Sequence, residues 1–158
     1  MPDPIIDVKI SQATEVTDEL YLACLYLVTQ LTDNNPPPTR QQLVEMLAAP
    51  SSILYLARHP DFDDEIIGLA TLVIYMVPTG VRGYIEDVVV DERARGKRIG
   101  EDLSLACLDY AEQAGAPQVM LTSNPDRQAA NRLYQRMGFE LRKTNVYRYS
   151  FKGRKSVR

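Results

Sequence analysis

Val88-Val89-Val90-Asp91-Glu92-Arg93-Ala94-Arg95-Gly96-Lys97-Arg98-Ile99-Gly100 is the stretch on which the reading of this chain turns. A β-branched apolar run stops at a charged turn, a glycine-bracketed basic loop follows, and an amphipathic helical pattern begins. Strand, loop and helix start would bring main-chain N–H groups and the positive end of a helix dipole together, which is a way of holding an anion such as a pyrophosphate. An ordinary βα connection with a solvated charged turn has the same outline. Arg93, Arg95, Lys97 and Arg98 crowd into this loop although the chain has a net charge of −3. The loop is neither a P-loop nor a Gly-x-Gly-x-x-Gly dinucleotide fingerprint, because the required glycines and the Gly-Lys-Ser/Thr ending are missing.

The 158 residues suit one domain with a real core, expected over 1–151, followed by a basic, frayed tail at 152–158. No apolar run is long enough for a membrane span. Met1-Pro2-Asp3-Pro4 has neither the basic nor the apolar region of a signal peptide, so the expected location is the cytoplasm and no membrane partner is expected. Cys24 and Cys107 lie inside apolar helical patterns and read as core thiols. A single histidine, His59, and no cysteine cluster argue against a metal site. The mildly acidic balance argues against nucleic acid as a partner.

Working outward, Ile5 to Ile10 reads as a strand and Thr14 to Leu31 as a helix with Leu20, Cys24, Leu27, Val28 and Leu31 on one face. Thr32-Asp33-Asn34-Asn35-Pro36-Pro37-Pro38 is a stiff connector. It is either a simple linker or a wall of a substrate pocket with Asn34 as a polar contact. Thr39 to Gln42 is a capping box opening a short helix. Ser52 to Arg58, Ile66 to Val77 and Val81 to Val90 read as three strands of an antiparallel meander. A helix from Lys97 to Ala114 stops at Gly115; Gln118 to Thr122 is a short strand. Asn124-Pro125 reads as cap and first turn of a helix ending at Gly138, and Phe139 to Phe151 as a final alternating strand. The order predicts an α+β fold: a mixed sheet of six to seven strands flanked by about four helices.

Two stretches now resemble the GNAT superfamily of acyl-CoA N-acyltransferases. The family's phosphate loop, Gln/Arg-x-x-Gly-x-Gly/Ala, is matched by Arg95 and Gly100, with Arg98 at the middle glycine. Its fourth helix, Ala-x-x-Leu-Tyr-x-x-x-Gly-Phe, is matched by Ala130, Leu133, Tyr134, Gly138 and Phe139. The resemblance implies that Val88, Val89 and Val90 pair with the pantetheine arm of acetyl-CoA like an added strand. It further implies that Arg95, Gly96, Lys97, Arg98, Ile99, Gly100 and Glu101 cradle the pyrophosphate, and that Asn124 and Asn131 contact the cofactor arm.

The implied reaction is transfer of acetyl to the primary amine of a small molecule or peptide. An ammonium of pKa about 10.4 must lose a proton before it attacks. The strand N–H near Val89 or Val90 is the candidate for polarising the thioester carbonyl. Tyr134 is the candidate acid for the leaving thiolate, although the helix stripe it shares with Ala130, Leu133 and Met137 also suits a core residue. Strict alternation places Tyr84, Glu86 and Val88 on one face and Ile85, Asp87 and Val89 on the other. Glu86 is then the candidate base, acting through water or with a raised pKa, and Tyr84 lies beside it toward the acceptor. Residues 85–90 are also similar to the corresponding strand of glucosamine-phosphate N-acetyltransferases, which makes amino sugars one acceptor class among several. A non-catalytic acyl-CoA-binding regulatory domain is the rival reading. The alternating Asn145 to Phe151 run suggests a homodimer paired through final strands.

Overall fold

The structure is a computed structural model, and it describes residues 8–151. The described residues divide between Thr122 and Ser123 into two compact units.

The first unit is built on a five-stranded sheet in sequential order, β1 (Lys9–Gln12), β2 (Ser52–Arg58), β3 (Ile66–Val77), β4 (Gly80–Val90) and β5 (Val119–Met120). The first four strands are antiparallel, and β5 joins β4 in parallel. Three helices cover it: α1 (Asp18–Leu31), α2 (Arg40–Ala48) and α3 (Ile99–Gln113). Near-continuous apolar runs in β2 and β3 reflect burial on both faces. On one face Leu20, Cys24, Leu27 and Leu43 from α1 and α2 pack with Leu54, Leu56, Leu69 and Val89. On the other, α3 lies so close to β3 that a Cβ at Gly68 would stand 3.1 Å from Leu103 and 3.2 Å from Ile99. Leu20, Leu27, Ile67, Leu72, Ile99 and Leu103 are almost fully buried, each stabilising the fold by roughly 1.5–3 kcal/mol.

Threonines start α1 and α2. Thr17 accepts from the Leu20 N–H, and the predicted capping box of Thr39 and Gln42 is present in full. The second unit contains α4 (Gln128–Arg136). Gly138, at φ +96°, follows its end as expected.

The structure corrects several expectations. Five strands form among the described residues rather than six or seven. β1 begins at Lys9, and positions 5–7 of its expected span lie outside the described residues, as does the 152–158 tail. α4 begins three residues after Pro125, because the Asn124 side chain accepts from the Asp126 N–H in a local turn (2.9 Å) instead of capping a helix. Ala111 on α3 is buried and Ala114 is exposed. Residues 139–151 form no strand, and Leu141, Val146, Tyr147 and Tyr149 are exposed. Alternation gives a segment two faces, whereas only a neighbour's N–H and C=O groups make it a strand.

Candidate active site

The site in the first unit begins with a fault in β4. Thr71 lies opposite Glu86, yet Leu69 lies opposite Val89, so β4 gains one residue between them. Asp87 takes up the extra residue with φ +52°, a left-handed conformation that Asp tolerates better than most residues. The bulge corrects the expected alternation. Glu86 and Val89 now share the α1–α2 face with Thr71 and Leu69, while Val90 joins Ile85 on the α3 face with Gly68 and Leu72. Tyr84 precedes the bulge and pairs with Val73 on one side and Met120 on the other. The ladder to β5 covers only Gly83 and Tyr84, so residues 86–90 run beyond it.

Glu86 is solvent-exposed but partly desolvated by its surroundings, and this, with the adjacent Asp87 charge, raises its carboxyl pKa above 4.5. Asn34 is exposed in the α1–α2 connector, where its N–H donates to Thr32 Oγ1 (3.1 Å).

Below β4 the chain makes a short 3-10 turn, Glu92–Ala94. Asp91 pins it. Its carboxylate is 1% exposed and accepts the Arg93 N–H at 3.0 Å and the Arg93 guanidinium at 3.0 and 2.7 Å. Burial alone would raise the Asp91 pKa; the Arg93 donors and charge outweigh it and hold the carboxyl below its ordinary value. Gln30, at the end of α1, accepts the Glu92 N–H (2.9 Å). Asp91 and Gln30 were not among the residues singled out from the sequence. Asp91 pairs locally with Arg93, two residues on, whereas Gln30 reaches Glu92 across 62 residues and no spacing rule would have found it.

The loop then reaches α3 through two left-handed residues, Gly96 (φ +83°) and Arg98 (φ +63°). Arg98 therefore adopts a backbone angle that favours glycine, the residue the family's loop has at this position. It offers no side-chain cap. The first intrahelical bond runs from the Asp102 N–H to the Arg98 carbonyl (3.1 Å), leaving the start of α3 to the main-chain amides around Ile99 and Gly100. No atom stands within 4 Å of where a Gly96 Cβ would be, so a ligand can approach that backbone closely. This arrangement fits a pyrophosphate.

The loop's positive side chains do not stand ready as free charges. Lys97 Nζ donates to Asp61 (2.7 Å) and Arg98 to Glu101 (3.2 and 3.0 Å), while Arg93 is committed to Asp91. Arg95 has no ion pair among the described residues and is exposed. Three of the four basic side chains are thus held in ion pairs, while Arg95 and the main-chain amides at the start of α3 are not.

In the second unit the Asn131 side-chain amide donates to the Asn124 carbonyl (2.9 Å), bringing these two expected cofactor contacts together. Tyr134 is buried, with its ring edge-on to Phe139 at 5.7 Å. Among the described residues no cluster of potential metal ligands occurs. Cys24 and Cys107 are buried in the core, their thiol pKa values pushed up to about 11 and about 12 by desolvation. Such thiols are poor nucleophiles. No described helix is long and apolar enough to cross a membrane.

A sheet of this topology, followed by a backbone-lined loop at a helix start, is the frame of an acyl-CoA acyltransferase fold. The profile of the Acetyltransferase (GNAT) family matches residues 18–139, and the chain belongs to that family. It is similar to N-alpha-acetyltransferase 30 of Schizosaccharomyces pombe, with 35% identity over 80 residues, 51% of this chain and 53% of that protein. It is also similar to a mycothiol acetyltransferase of Renibacterium salmoninarum, with 36% identity over 81 residues, 50% of this chain and 24% of that protein. The chain thus spans about half the length of the first and about a quarter of the second. The fold is shared with glucosamine-6-phosphate N-acetyltransferase from Arabidopsis thaliana at TM-score 0.71 and 20% identity, covering 90% of this chain and 98% of that one.

Proposed function

We propose that residues 1–151 act as one domain that moves the acetyl group of acetyl-CoA directly to a primary amine. The observation that carries this reading is the uncapped start of α3 behind the left-handed Gly96 and Arg98, inside a chain that belongs to the family. Main-chain N–H groups of residues 95–101 hold the pyrophosphate. Val88, Val89 and Val90 lie along the pantetheine arm, and Asn124 and Asn131 contact it. The N–H near Val89 or Val90 polarises the thioester carbonyl.

Glu86 accepts the amine's proton through water, a role its raised pKa suits. Tyr84 and Asn34 contact the acceptor. Tyr134 gives its phenolic proton to the leaving thiolate; phenols are general acids able to donate to a developing thiolate. The acceptor is a small-molecule or peptide amine. The names of two relatives, an N-alpha-acetyltransferase and a mycothiol acetyltransferase, are compatible with either class.

The test has two stages. Saturating acetyl-CoA at about 100 times its dissociation constant stabilises the protein by roughly 2.7 kcal/mol, a rise of roughly 5–10 °C in Tm. Thiol release is then measured over an amine panel. Tyr134→Phe is expected to cut turnover by about 10²–10⁴ while leaving acetyl-CoA binding intact. Binding without thiol release for any amine would favour the regulatory acyl-CoA-binding reading.

A further inference from the structure

We infer that Asp61 is a built-in competitor for the acyl-CoA phosphates: it occupies the Lys97 ammonium in the free protein and gives it up when the cofactor binds. This rests on the assignment of the 95–101 loop to acyl-CoA.

The competitor sits on the turn between β2 and β3. Asp61 lies in a one-turn 3-10 segment, Pro60–Phe62. Its N–H donates to Nδ1 of the buried His59 (3.1 Å). The Phe62 and Asp64 N–H groups return to the His59 carbonyl at 3.0 and 3.3 Å. The backbone that carries the carboxylate is therefore fixed whether or not Lys97 is attached to it.

The turn is also held against the phosphate loop by a second contact. The Arg93 guanidinium lies 5.7 Å above the Phe62 ring and 3.6 Å from Glu65. Lys97 stands between Gly96 and Arg98, the two left-handed residues that shape the loop. Its side chain leaves the loop to reach Asp61, with Nζ 2.7 Å from Oδ2.

This pair is accessible. Lys97 is 40% and Asp61 39% exposed, so their mutual attraction is weak enough for a multiply charged phosphate to overcome. Lys97 has a flexible four-carbon stem and can follow the phosphate, whereas the short side chain of Asp61 extends from a fixed backbone and cannot follow it. The contact subtracts from cofactor affinity and limits binding of weaker anions to the same loop.

Calorimetric titration with CoA tests this on the unaltered protein, Asp61→Asn, Lys97→Gln and the double variant. Asp61→Asn is expected to bind CoA up to about five-fold more tightly, with the gain shrinking at high salt. Lys97→Gln binds more weakly, and adding Asp61→Asn to it restores nothing. Equal or weaker CoA binding by Asp61→Asn, with binding by the unaltered protein intact, overturns this inference alone. No CoA binding by the unaltered protein overturns the loop assignment, and this inference with it.

Discussion

Helices α2 and α3 start in opposite ways. At α2, Thr39 Oγ1 accepts the Gln42 N–H (3.1 Å), and Gln42 accepts the Thr39 N–H in return (2.9 Å). At α3 the equivalent position is Arg98, in a left-handed conformation, with no side-chain acceptor. A helix start that has only to be stable fills its amides with a hydroxyl and a carboxamide. One that leaves them unfilled accepts a local cost of about 1–3 kcal/mol for the backbone angle, and gains a place where an anion can complete the helix.

The strongest way to break this contrast is to give α3 its own anion. Arg98→Asp keeps a residue that tolerates the left-handed region and puts a carboxylate where the phosphate is proposed to sit. Like-charge repulsion there is expected to cost about 2–3 kcal/mol of CoA affinity, roughly 30- to 150-fold, by calorimetric titration. An unchanged affinity would move the anion site away from α3.

A smaller effect is expected one turn earlier. Asp91→Asn keeps an acceptor for the Arg93 N–H but removes the charge from a buried carboxylate that holds the loop in register. The expected loss is about 1.5 kcal/mol at pH 7, at the low end because the Arg93 side chain is 52% exposed. The folded-state pKa of Asp91 is depressed, so its contribution is present above the unfolded value near 4 and is lost as pH falls through the folded one. Urea unfolding of the two proteins should therefore converge in acid. A difference that persists below that window would mean that packing, not charge, fixes the loop.

Thr39→Ala sharpens the comparison from the other side. Losing the α2 cap should cost about 1 kcal/mol of stability and leave CoA affinity where it was. A fall in affinity would show that capping and anion binding are coupled through the fold.

What could be read from residues alone divides along the same line. β2 and β3 were legible to the residue, because their apolar runs end at clear turns. The α2 cap was legible because it is local: four residues contain both halves of it. The left-handed Asp87 was not, since two adjacent acids followed by three valines carry no alternation from which a bulge could be placed, and the bulge moved Val89 across the sheet. The expected cap at Asn124 failed because a local turn to Asp126 competes for the same side chain. Gln30 and Asp61 were out of reach for a different reason. They bond Glu92 and Lys97, in the connection between β4 and α3, from 62 and 36 residues away, and only the folded sheet brings them there.

Arg98→Gly gives the smallest expected effect and asks which part of the loop binds. Glycine relieves the left-handed strain, but it adds about 0.4–1 kcal/mol of unfolded-state entropy and removes the exposed, solvent-screened pair with Glu101. These offset the relief, so stability should stay within about 1 kcal/mol of the unaltered protein by urea unfolding. CoA affinity should also be nearly unchanged, because the amides of Ile99 and Gly100 keep their direction and the guanidinium was already committed to Glu101. A tenfold loss of affinity would mean that the Arg98 side chain leaves Glu101 for the phosphate, and that the loop binds through charge where the comparison with α2 assigns binding to the backbone.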